Sequence, residues 1–239
     1  MTAAANLLLL GLILGVVGFG LVSIVRWVGD RFFGQLASSI DLLSKAVPLL
    51  LLFSILIFPT TEIWEVFSQS PDLNYGILVG MFVLLGVVFL GARLPGEVGR
   101  LEREAGEGGP PLNGRQRVNV GLVLFVSQAL QVLLVSLAVG AFFVVFGMLT
   151  IDAEILRGWI GTPGDELVSF EIGGNPLTIT TELLRVSGAI AAFTGLYFAI
   201  SMLTDEIYRR EFLDELTAEM RTSFRERAEY LRLRAAAGA

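Results

Sequence analysis

Asp41 and Lys45 stand four residues apart at the threshold of an apolar run, and Lys45 is the only lysine in the chain. That spacing puts both charges on one helical face, where they can pair. From Ala46 to Phe58 there are too few residues to cross about 30 Å of hydrocarbon, so a span here begins near Ile40 and draws both charges into or against the membrane. Near the edge the pair is a snorkelling anchor. Facing a wet cavity, it would control an ion or solute path. The edge position favours the anchor. Pro48, one turn later, removes a donor to the carbonyl of Ser44 and is placed to kink the helix.

A second polar constellation lies inside an apolar block. Ser127, Gln128 and Gln131 fall within about one turn and share a face. Buried in hydrocarbon, such groups either hydrogen-bond to a neighbouring helix or line a hydrated path, and helix glue is the commoner use.

The chain lacks the residues for much other chemistry. It has no histidine and no cysteine, which removes the usual general base, thiol nucleophiles and thiolate metal sites. No HExxH, serine elbow or intramembrane acidic cluster appears, so neither enzymatic activity nor a cofactor is expected. "GEGGPP" and "NGRQR" do not match a phosphate loop, because no GKS or GKT follows. The net charge of −6 argues against nucleic acid.

The elements that must position these residues are membrane helices. Fifty-four per cent of residues are hydrophobic and 17% charged, where a soluble domain carries about a quarter charged. The apolar residues gather into five blocks, about 6–28, 40–58, 75–92, 118–151 and 183–204, each long enough to span. The first has no basic leader and no small-x-small cleavage site, so it reads as a retained span. The fourth is too long for a perpendicular crossing, so it tilts or projects into the cytoplasm. Gly11/Gly15, Gly76/Gly80 and Gly188/Ala192/Gly195 are small-residue sets at helix-packing spacing.

Arginines orient the bundle. Arg26 and Arg31 follow the first block; Arg93, Arg100, Arg103, Arg115 and Arg117 follow the third. Arg209, Arg210, Arg221, Arg225, Arg227, Arg232 and Arg234 follow the fifth. These fourteen lie on one side, whereas loops 59–74 and 152–182 hold only Arg157. By the positive-inside rule the N-terminus is outside and the C-terminus inside. The expected fold is an all-α, five-span plasma-membrane protein over residues 1–204, followed by a cytoplasmic tail, 205–239.

In the external loop 59–74, Trp64 is expected at the headgroup level. In loop 152–182, "LVSFEI" and "LTIT" flank "GGNP", which predicts a short β-hairpin, with Thr181-Glu182 capping the fifth helix. An isolated hairpin is marginal in water, so this one should lie on the bundle or on a partner. Residues 104–114, rich in Gly and Pro, read as a flexible linker.

The tail continues as an amphipathic helix whose Tyr208, Phe212, Leu216, Met220 and Phe224 recur every four positions as one apolar stripe. The membrane surface, the protein itself or a partner must cover it. "GLYFAISMLTDEIYRREFLDEL", residues 195–216, resembles the end of a group of small actinobacterial integral membrane proteins. The resemblance implies a bacterial membrane setting and brings no activity, cofactor or site residue. These readings point to a non-enzymatic packing or assembly subunit, associated with the bilayer and with itself or a partner. An oligomeric channel or small-solute pore lined by the second and fourth spans is the alternative.

Overall fold

The computed structural model describes residues 36–105 and 112–204, with single helical positions at 225, 226, 229, 230 and 233. The first expected span and the tail-stripe residues Tyr208 to Phe224 lie outside the described residues, as do residues 106–111 of the expected linker. The described chain is mostly helical. It runs α1 (Leu36–Ile57), α2 (Thr61–Gln69), α3 (Asp72–Ala105), α4 (Gly114–Thr150) and α5 (Ala153–Ile160), then strands β1 (Glu166–Ile172) and β2 (Asn175–Thr180), then α6 (Thr181–Thr204). Three helices are long and apolar enough to cross a membrane, within α3, α4 and α6. The bent pair α1/α2 makes a fourth candidate.

Pro48 does not break α1, which continues through it to Ile57. The break comes at Pro59. The residue before a proline is pushed away from α geometry, and the chain there turns by 91° into α2. Thr60 secures the corner: its Oγ1 donates to the Ile57 carbonyl at 2.6 Å, and its own carbonyl accepts from Ile63 and Trp64. Thus 59–74 is not the solvated loop expected from its polar composition. It holds a nine-residue helix and the first turn of α3.

The chain divides into two compact units, one of residues 40–89 and 131–200 and the other, among the described residues, of 36–39, 90–105, 112–130, 201–204 and the single positions near the C-terminus. In the first unit, α4 and α6 pack antiparallel at small residues. A Cβ on Gly140 would lie 3.1 Å from the Ala191 methyl, one on Gly147 would meet Leu183, and one on Gly195 would meet Ser136. Such residues let helix backbones approach closely. The expected roles of Gly188 and Gly195 hold, Gly188 lying against the Tyr75 hydroxyl. Gly76 and Gly80 differ: no described atom comes near either one. Half of the apolar length of α6 is buried, whereas little of α3's is. Phe58, fully buried, stacks on Phe143 at 4.7 Å between ring centroids.

The hairpin forms as expected, antiparallel, with Phe170 opposite Leu177 and Ile172 opposite Asn175. Its turn is Gly173-Gly174, both at positive φ (63° and 84°). Two consecutive positive φ values suit the right-handed strand twist and favour glycine. The cap of α6 is shifted by one residue from expectation. Thr180 Oγ1 accepts from the Leu183 N–H at 3.2 Å, and Glu182 instead accepts from the Asp165 N–H at 2.9 Å.

In the second unit, residues 93–105, read from sequence as connection, are helical as the end of α3. They stay helical because Val98 and Leu101 are buried with Leu112 and Leu124, and Leu94 and Val120 pack against them. Glu102 ties the start of α4 to that core, accepting from the Leu112 N–H at 2.7 Å and from Arg117 at 2.6 Å. Asn113 and Gln116 exchange side-chain-to-backbone hydrogen bonds of 2.8 and 3.1 Å. This reciprocal box satisfies two of the unpaired donors at the start of α4.

Candidate functional site

Arg185 organises the densest polar cluster among the described residues, and reading the fifth block as purely apolar passes over it. Its side chain is 15% exposed, and the guanidinium forms a 2.7 Å ion pair with Asp72, whose own side chain is fully exposed. It donates to the Ser68 carbonyl at 2.8 Å and lies 4.9 Å from the centroid of the Tyr75 ring. The Tyr75 hydroxyl donates back to the Arg185 carbonyl at 2.8 Å. A cation at the last turn of α2 complements the helix dipole, and an anion at the first turn of α3 does the same from the opposite end. One side chain on α6 therefore fastens the junction of α2 and α3.

Around this clasp the short helices close on one another. Trp64, which was expected at the headgroup level, is fully buried, with its ring against Phe58 and Trp159. Its Nε1 donates to the Phe58 carbonyl at 2.7 Å, which satisfies the indole within the protein. Ser68 Oγ donates to the Trp64 carbonyl. Gln69 donates to the Ile160 carbonyl at 3.2 Å, joining α2 to the end of α5. Asp152 caps α5, accepting from Glu154 and Ile155. Gly164, at φ +83°, passes so close to Leu156 and Glu182 that a Cβ would come within 2.6 and 2.8 Å of them.

The polar residues singled out in the sequence are distributed differently. Asp41 and Lys45 lie one turn apart on α1, and their side chains fall outside the described residues. On α4, Ser127 and Gln128 are buried, Gln128 at 1% exposure, and Gln131 is partly buried. Among the described residues neither amide atom of Gln128 has a hydrogen-bond partner, nor does Gln131 Oε1. Gln128 belongs to the buried stripe that begins at Leu124 and continues through Val135, Val139 and Phe143. It is therefore an amide set into an apolar seam. Between α1 and α6 the hydroxyls of Ser54 and Thr194 lie 3.2 Å apart.

No family model matches this chain, and no curated protein or solved structure matches it either. The site must be read from its own chemistry. Among the described residues no group of three Asp, Glu, His or Cys side chains could hold a metal ion. Arg185 and its partners saturate one another, which suits a fastener. Gln128 offers both a donor and an acceptor that no described residue takes up.

Proposed function

We propose that this chain is a non-enzymatic, five-span protein of the plasma membrane, N-terminus outside and C-terminus inside, acting as a packing or assembly subunit of a membrane complex or homo-oligomer. The observation that carries this reading is the outward-open pair Gly76 and Gly80 on α3, the least buried candidate span. Leu73, Ile77 and Leu84 are exposed along the same stretch. A small-xxx-small face gives lipid no particular advantage, but it lets a second protein helix approach closely.

The pair also gives a clean test, since a larger side chain there displaces nothing in the described bundle. Gly76→Leu/Gly80→Leu should leave thermal unfolding close to parental while the native mass falls to the single chain. An unchanged mass and unchanged co-purifying proteins would overturn the assembly reading at this face.

Gln128 supports the pore as a second reading, because water in a conduction path would satisfy its orphaned amide. In a dry seam that amide costs about 1–3 kcal/mol, so Gln128→Leu should raise thermal stability and leave cation flux in reconstituted vesicles unchanged. Unchanged stability with altered flux would favour the pore.

A further inference from the structure

The hairpin sorts its side chains by face. Val168 lies opposite Ile179, Phe170 opposite Leu177 and Ile172 opposite Asn175. Residues directly opposite each other share a face, and alternate residues along a strand share it too. One face is thus almost wholly apolar. The other carries Ser169 and Thr178, whose hydroxyls lie 3.2 Å apart, together with Glu171 opposite Pro176. Every residue of β1 is exposed, Ile172 at 61% and Val168 at 53%. Among the described residues the β1 side of the apolar face stays open while Leu177 and Ile179 of β2 are only partly buried, although a lone hairpin in water is marginal.

The chain itself indicates what covers it. β2 ends at Thr180 and α6 begins at Thr181 with no residue between them. α6 is a candidate span, and Leu184 in its first turn is exposed. The base of the hairpin is therefore fixed where a lipid-facing helix enters the bilayer. The hairpin carries Glu166 and Glu171 and no basic residue, so it offers a second copy no opposite charge to pair with. We propose that the Val168–Phe170–Ile172 face lies on the bilayer surface, an interfacial plate anchored at its base by α6 and by the Asp165–Glu182 contact. This inference rests on the membrane reading above.

Because the chain contains no cysteine, nitroxide labels can be placed one at a time without removing any native residue. The test uses the full-length protein in phosphatidylcholine vesicles, labelled separately at Val168→Cys, Ser169→Cys, Phe170→Cys, Glu171→Cys, Ile172→Cys and Leu84→Cys. Positions 168, 170 and 172 should collide more with oxygen than with a water-soluble nickel complex, and 169 and 171 should show the reverse. Leu84, exposed on α3, reports separately on the spans. An oxygen-favoured label at 84 with water-favoured labels at all five hairpin positions overturns the interfacial plate alone. Water-favoured labels at 84 as well would overturn the membrane reading. Dipolar broadening at 170 that vanishes on dilution with unlabelled protein would assign the face to a second copy and overturn the lipid proposal.

Discussion

Gly147→Leu is expected to unfold the bundle at a markedly lower temperature than the parent, with a loss of about 3 kcal/mol or more. The Cβ alone would meet a Leu183 methyl and come within 3.0 Å of Phe58 Cζ. Leu183 is the flexible neighbour, but it is buried at the first turn of α6. Phe58 cannot yield, because Phe143, Phe146 and Trp64 enclose its ring. Overpacking of a filled core costs about 1–3 kcal/mol, occasionally more. Here the extra atoms wedge α4 away from α6 where Leu183 packs over Gly147. Gly147→Ala should cost less, since better helix propensity returns up to about 1 kcal/mol. Thermal unfolding in detergent followed by circular dichroism checks the order parent, Ala, Leu. A Leu variant as stable as the parent would mean that α4 and α6 do not pack through Gly147.

The parts of the fold that sequence reveals are those decided by hydropathy and turn chemistry. Long apolar runs announce α3, α4 and α6, and "GGNP" announces the hairpin, because only glycine readily takes two successive positive φ values. The errors occur where tertiary contacts override local composition. α2 looks like loop because Glu62, Glu65 and Gln69 punctuate it, yet Trp64 and Ser68 are buried one turn apart and hold it as a helix. The end of α3 contains Pro95, Gly96 and Gly99, all poor helix residues, and is kept helical by the burial of Val98 and Leu101. The box formed by Asn113 and Gln116 was visible as N-x-x-Q in "NGRQR", a helix-start signal overlooked while that stretch was tested as a phosphate loop. Gln128 was legible as a polar residue within an apolar block, but its having no partner among the described residues was not, since satisfaction of an amide depends on what the neighbouring helices present. Arg185 was legible too, as a cation four residues into an otherwise apolar span, a position that ordinarily marks a partner nearby.

That cation yields the second large effect. Arg185→Met keeps much of the side chain's length and apolar bulk but removes every contact of the guanidinium. The Ser68 carbonyl loses a charge-assisted hydrogen bond, worth about 1.5–3 kcal/mol. The ring of Tyr75 loses a cation, worth about 0.5–1 kcal/mol at a site of this exposure. The pair with Asp72 adds little, because that carboxylate is fully exposed and solvent screens it to about 0–1 kcal/mol. The losses should therefore follow the carbonyl and the ring: Arg185→Met should cost about 2–4 kcal/mol and Asp72→Asn less than about 1 kcal/mol. Arg185→Lys should recover only part of the loss, since a single ammonium lacks the guanidinium's planar fork of donors for reaching Ser68 and Asp72 together. Tryptophan emission locates the damage. Trp64 is fully buried beside the clasp, and release of α2 would admit water to its indole and shift the emission to the red. The shift should accompany Arg185→Met and be absent from Asp72→Asn. If Asp72→Asn proved as damaging as Arg185→Met, with the same red shift, the ion pair rather than the helix-terminal carbonyl would be what fastens α2 to α6.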